Sequence, residues 1–168
     1  MEILSRALAL LTPLRAAALV FALALATIVG AWIFEKAGYA PCDLCLKQRW
    51  AYYAGVPLAA LAMLAAWGGM RAATRAGLVL LALVFVASAL FGGYHAGVEW
   101  GFWQGPQGCT GALNQAGNIN DFLKQLESVK VVRCDVVALR ILGLSLAGWN
   151  AVISAGMAFV AVRGAMAR

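Results

Sequence analysis

The chain reads as an all-α membrane protein, a bundle of four transmembrane helices with a short amphipathic helix in its second outer loop. Three observations predict this. Apolar residues make up 64% of the 168 and charged residues only 12%, about half the charged share of an ordinary soluble domain. Mean hydropathy is +0.84. The apolar residues also fall into four stretches, each long enough to cross a hydrocarbon core as a helix. In lipid a spanning segment must satisfy its own backbone polar groups, which helices do.

The first span is predicted over about 13–34, the second over 50–67, the third over 76–94 and the fourth over 143–162, all within a single domain, 1–168. The only charge inside them is Arg15, near the start of the first. With a basic flank of Arg6 and Arg15 and with Ala22, Ala24 and Ala26 within it, the first span could pass for a signal peptide. Its apolar run is longer than that of a signal peptide and three more spans follow, so it reads as a retained helix. The second span is short, and the fourth is rich in small residues.

Charge sets the orientation. The N-terminal flank, the short loop 68–75 and the C-terminal tail hold six arginines (6, 15, 71, 75, 163 and 168) against one acid, Glu2. The other two loops, about 35–49 and 95–142, hold seven basic and six acidic residues. Short, almost purely basic segments stay in the cytoplasm, so both termini are predicted inside. The net charge of +6 thus reflects topology, and nucleic acid is not needed to explain it. Two crossings separate the two outer loops, so Cys42, Cys45, Cys109 and Cys134 face one compartment. By the charge rule it lies outside the cytoplasm, where disulfides persist.

The first outer loop contains Pro41-Cys42-Asp43-Leu44-Cys45-Leu46-Lys47-Gln48-Arg49. A Cys-x-x-Cys pair is the usual unit of thiol–disulfide exchange. Pro41 suits the opening of a helix. A helix starting there would set Cys42, Cys45 and Arg49 at i, i+3 and i+7, on one face of its first two turns. The helix N-terminus and the Arg49 charge both favour a thiolate, the reactive form.

The second outer loop opens with a Gly- and Pro-rich run, 101–108, ahead of Cys109, which reads as an exposed turn region. Ile119, Phe122, Leu123, Leu126 and Val129 then recur at helical spacing with polar residues between them. They read as an amphipathic helix lying on the membrane surface or packed on the bundle's outer end. Four cysteines allow three pairings. Close spacing favours Cys42–Cys45, which leaves Cys109 and Cys134 to close a loop of 24 intervening residues. Two purely structural disulfides would also fit this compartment, although a two-residue ring constrains the chain little. A four-cysteine zinc site would want a second close pair.

Three other features stand out. His95, at the outer end of the third span, lies four residues before Glu99, a natural partner, and Gly93-x-x-x-Gly97 around it has the spacing of a close helix contact. Asn150 is an intramembrane polar group in the fourth span. It reads as an interhelical hydrogen-bonding residue, with Gly143, Ala147, Ala151 and Ala155 supporting tight packing. Trp32, Trp50, Trp67, Trp100 and Trp103 fall near span ends as interface anchors.

The run Pro41-Cys42-x-Leu44-Cys45-x-x-Gln48-Arg49, four spans and a second cysteine pair between spans three and four together resemble the DsbB family, disulfide bond formation protein B of bacterial inner membranes. The resemblance covers nearly the whole chain. It implies a protein-disulfide oxidoreductase that reoxidises a periplasmic DsbA-like thioredoxin-fold partner and passes the electrons to ubiquinone or menaquinone in the lipid bilayer. In that scheme the partner's thiol attacks Cys109 and frees Cys134, Cys134 opens Cys42–Cys45, and Cys45 meets the quinone. Arg49 is implied to stabilise the thiolate and the reduced quinone, and His95 to contact the quinone headgroup. The oxidising power must then come from the quinone, since DsbA itself is a strong oxidant at about −120 mV. The second loop departs from the best-known members in its Gly-rich sequence and in the length between Cys109 and Cys134. Two alternatives remain at this point: a vitamin K epoxide reductase-like protein, whose redox pair usually sits near the end of a late span, and a non-catalytic membrane protein with structural disulfides.

Overall fold

The computed structural model describes residues 11–106 and 132–167. Cys109 and the expected amphipathic helix at 119–129 lie outside the described residues. Four helices are long and apolar enough to cross a membrane: α1 Pro13–Lys36, α2 Asp43–Trp67, α3 Arg71–Glu99 and α4 Leu146–Met166. The protein is a four-helix membrane bundle.

Three of the four helices start on a capping side chain. Thr12 accepts a hydrogen bond from Arg15 N at 3.3 Å, with Pro13 in the first turn, where its missing N–H costs nothing. α2 begins well before the apolar stretch at 50, because Cys42 caps it: its sulfur accepts from Cys45 N at 3.3 Å. Pro57 lies inside α2, tolerable in a lipid-embedded helix whose neighbours re-satisfy the freed carbonyl. Before α4 the chain makes a two-stranded hairpin, β1 Arg140–Ile141 with β2 Leu144–Ser145, in antiparallel register. Its turn, Leu142-Gly143, has φ of +53° and +85°. Ser145 ends the hairpin and caps α4, accepting from Gly148 N at 3.1 Å.

The helices form a ring in sequence order. The α3–α4 contact is the most extensive, followed by α2–α3 and α1–α2, and α1–α4 closes the ring. The main core runs through Ala16, Val20, Ala24, Tyr52, Ala59, Leu78, Phe85, Met157 and Ala161. Trp50, Leu61, Trp67, Leu83 and Leu90 point outward, as expected where the surrounding solvent is lipid and outward apolar groups carry no penalty.

Two packing expectations change. The buried stripe of α4 is Ala147, Asn150, Ser154, Met157, Ala158 and Ala161. Ala155 faces outward, and Gly143 belongs to the hairpin. On α3, Gly93 faces open space, and Gly92 makes the close approach instead. A Cβ on Gly92 would lie 2.9 Å from Asn150 Nδ2 and 3.0 Å from Ala151 N. Gly97 sits beneath the Trp103 ring, which stacks on Tyr94 at 5.9 Å and donates from its indole N–H to Tyr94 O at 2.9 Å. This aromatic lid folds the chain back over the end of α3.

A buried polar chain crosses the core between α2, α3 and α4. Tyr52 donates to Asn150 Oδ1, lies 3.2 Å from Ser154 Oγ, and Ser154 lies 3.0 Å from Ser88 Oγ. The expected interhelical role of Asn150 is thus met by Tyr52.

Candidate active site at the start of the second helix

Cys42 and Cys45 meet where the chain turns into α2. Cys42 stands outside the helix, extended at φ −76° and ψ 172°. It therefore does not share the helical face of Cys45 and Arg49, as a helix begun at Pro41 would have required. Its side chain bends back over the first turn, bringing the two sulfurs to 3.0 Å as free thiols. At that distance a bond can form without backbone movement. Two thiolates on one tetrahedral zinc would stand about 3.8 Å apart, given a Zn–S bond of about 2.3 Å. The spacing favours a closing redox pair.

The two sulfurs face different surroundings. Cys42 is buried and shares a cluster with Leu44 and Cys134, against which Cys45, Phe91, Tyr94 and Val132 pack. Cys134 is 1% exposed and disulfide-bonded. Its expected partner, Cys109, lies outside the described residues. The hydrogen bond with Cys45 holds the Cys42 thiol well below the ordinary thiol range; burial opposes this, and His95 adds to it. Such a thiol is ionised, and so reactive, at neutral pH.

Cys45 instead lines a cavity of about 480 Å³ between α1, α2 and α4. Apolar residues from Leu23 to Phe34 form one wall, Leu146 to Ile153 another, and Ile141 of the hairpin closes a side. Its polar lining is Gln48, Arg49 and Tyr52, one or two helical turns beyond Cys45 on α2, and Asn150 from α4. This is the make-up of a small-molecule site: an apolar cleft of several hundred Å³ with a few placed polar groups.

Arg49 is nearly buried, with its guanidinium 2.5 Å from Glu35 Oε2 at the end of α1. The sequence reading missed Glu35, whose partner is 14 residues away across a turn. It also missed Tyr52, which a membrane helix offers as one aromatic among several.

His95 is 1% exposed and does not line the cavity. It packs on the other side of the cysteine pair. Its Nε2 lies 3.6 Å from Cys42 Sγ, and its Nδ1 lies 2.6 Å from Gln48 Nε2. Glu99 Oε1 is 4.0 Å from Nε2, longer than a hydrogen bond. Among the described residues, Glu99 Oε2 is buried without a hydrogen-bond partner.

The deciding comparison is with protein families. The model of the DsbB family, disulfide bond formation protein DsbB, matches residues 13–163. The chain belongs to the DsbB family. It is therefore a multi-pass membrane protein of that family. An uncharacterized protein of Rickettsia prowazekii (strain Madrid E) is 25% identical over 118 residues, covering 69% of this chain and 66% of the relative. The match thus spans about two thirds of that relative's length. No solved structure matches the chain.

Proposed function

We propose that this protein is a quinone-reducing thiol oxidase of a bacterial inner membrane, which reoxidises a periplasmic DsbA-like dithiol partner. The observation that carries the reading is the split environment of one cysteine pair. Cys45 lines the apolar cavity with Arg49, whereas Cys42 lies in a buried cluster with Cys134.

The relay is the one the family resemblance implies, and that placement supports its inner steps. The partner's thiolate attacks Cys109 of a Cys109–Cys134 bond, forming a mixed disulfide and releasing Cys134 as thiolate. Cys134 attacks Cys42 Sγ; a Cys134–Cys42 bond forms, and Cys45 leaves with the electron pair, facing the cavity. The partner's second thiolate then attacks the mixed disulfide, which oxidises the partner and releases Cys109; Cys109 attacks Cys134, restores their bond and releases Cys42 as thiolate, a departure its depressed thiol suits.

The cavity's residues fit a quinone headgroup: apolar walls for a flat ring and its lipid tail, and Arg49, Gln48, Tyr52 and Asn150 for its oxygens. Ubiquinone or menaquinone, when bound, supplies the two-electron acceptor. Arg49 holds negative charge next to Cys45, and Glu35 keeps its guanidinium in place. The topology that goes with this reading has both termini in the cytoplasm and the redox cysteines in the periplasm.

The test is loss of quinone absorbance with detergent-solubilised protein, excess quinone and a reduced DsbA-type partner. Wild-type protein is expected to turn over and Cys45→Ser to be inactive. Arg49→Ala is expected to fold but to raise the apparent quinone KM. Turnover in Cys45→Ser would sink the mechanism, and an unchanged KM and rate in Arg49→Ala would remove that residue from the site.

A further inference from the structure

Gln48 belongs to two places at once. It lines the cavity, and it is 92% buried, with its amide nitrogen against His95. That nitrogen carries only hydrogens, so at 2.6 Å from Nδ1 it donates and the ring nitrogen accepts. A neutral imidazole that accepts at Nδ1 carries its proton on Nε2.

The surroundings of Nε2 select the same arrangement. Among the described residues two groups face it, Cys42 Sγ at 3.6 Å and Glu99 Oε1 at 4.0 Å. A disulfide or thiolate sulfur is an acceptor, and so is a carboxylate. With the amide reversed, Nδ1 would hold the proton and the Nε2 lone pair would point at both acceptors. A lone pair buried against two acceptors is an unmet and repelled group. The donating orientation of Gln48 leaves no such conflict.

We propose that Gln48 is a positioning residue that keeps Nδ1 of His95 as an acceptor and so holds the ring proton on Nε2, presenting an N–H to the Cys42 sulfur. His95 then acts as a hydrogen-bond donor to the Cys42 thiolate rather than as the base that takes its proton. The residue that sets this tautomer also forms part of the cavity wall, so an occupant of the cavity touches the group that orients the histidine. The inference rests on Cys42–Cys45 being the redox pair and does not require the cavity's occupant to be a quinone.

The chain has one histidine, so a 15N spectrum of histidine-labelled protein needs no assignment. The experiment uses full-length protein in detergent, without quinone, in the oxidised and reduced states near neutral pH. Wild type is expected to show Nε2 protonated and Nδ1 bare in both. Gln48→Glu, whose carboxylate accepts, is expected to move the proton to Nδ1 or to protonate both nitrogens. Gln48→Met keeps length and burial without a donor, and is expected to populate both tautomers. It carries the test where the buried charge of Gln48→Glu prevents folding. A wild-type ring protonated on Nδ1 would overturn the proposal. So would a folded Gln48→Met whose ring stays wholly Nε2-protonated, because Cys42 and Glu99 alone would then set the tautomer. Wild-type protein that reduces no quinone but shows the bare Nδ1 would cost the quinone reading and leave this one standing.

Discussion

Replacing Tyr52 with Phe removes one oxygen from the centre of the bundle, and the structure sets what should follow. The Tyr52 hydroxyl donates to Asn150 Oδ1 and lies 3.2 Å from Ser154 Oγ. Asn150 Nδ2 is already buried without a partner among the described residues. Without the hydroxyl, the Asn150 side chain has no hydrogen bond left among the described residues. Interhelical bonds in lipid average about 0.6 kcal/mol each, because the unfolded chain in the membrane also finds partners. Two such bonds give roughly 1 kcal/mol. Orphaning a buried amide oxygen adds a penalty of its own, about 1–3 kcal/mol before relaxation. Some of that penalty is recovered if Asn150 turns toward Ser154. The expected loss is therefore about 1–2 kcal/mol, a fall in midpoint of roughly 2–8 °C for a chain of this size.

Thermal unfolding in detergent, followed by far-UV circular dichroism, reads the shift directly. Tyr53→Phe is the control: Tyr53 is 46% exposed and makes ring contacts with Trp32 and Trp50. It should stay within about 0.5 kcal/mol of wild type. A double-mutant cycle of Tyr52→Phe with Asn150→Leu should show coupling, since the two side chains share a bond. If Tyr52→Phe melts together with Tyr53→Phe, or the cycle shows no coupling, the buried chain does not hold these helices together. Because Tyr52 and Asn150 also line the cavity, the same variants should raise the apparent quinone KM.

Three other outcomes follow from local geometry. In reduced protein, Cys45→Ala removes the main cause of the low Cys42 thiol, so the midpoint of thiolate absorbance should move up toward about 8.5. The sign is that of a depressed acid. Its contribution to the reduced fold is complete above the ordinary thiol value and is lost as pH falls through the lowered one. An unmoved midpoint would exclude the sulfur–sulfur bond as the cause. Ser145→Ala deletes the cap that accepts from Gly148 N and should cost about 1 kcal/mol, whereas Ser145→Asp should keep most of it; equal losses would mean that the cap is not what Ser145 contributes. Gly92→Ala places a carbon 2.9 Å from Asn150 Nδ2 and 3.0 Å from the α4 backbone, an overpacking expected to cost about 1–3 kcal/mol, while Gly93→Ala, which faces open space, should be harmless by the same melting assay.

The four helices were legible because length and apolarity suffice to define a spanning segment. Their faces were not. The α4 stripe predicted from small residues was displaced because glycine and alanine fit lipid-facing positions as well as buried ones. The choice between Gly92 and Gly93 was likewise invisible in sequence, since it depends on how α3 is rotated against Asn150. At the site, Cys42, Cys45 and Arg49 could be read from one short motif. Glu35 and Tyr52 could not, because each gains its meaning from a partner on another helix. His95 was found as a candidate, but its neighbours Cys42 and Gln48 lie 53 and 47 residues away. No local pattern encodes that contact.

The start of α2 explains why one cysteine pair can face two ways. Inside a helix, side chains at i and i+3 lie on the same face, about 5–6 Å apart at Cβ. Both sulfurs would then meet the same surroundings. Cys42 escapes this because a cap residue is extended, and its side chain folds across the helix end onto Cys45 N. The sulfurs touch while their outer sides diverge, Cys42 toward His95 and the Cys134 cluster, Cys45 toward the cavity. In the proposed relay that divergence separates the side where electrons arrive from the side where they leave, across a single bond. The arrangement depends on the helix beginning at Asp43 and no earlier. A variant that extended α2 by one turn at its N-terminus would put Cys42 on the helical face, part the sulfurs and close the route, even with every cysteine and Arg49 still in the sequence.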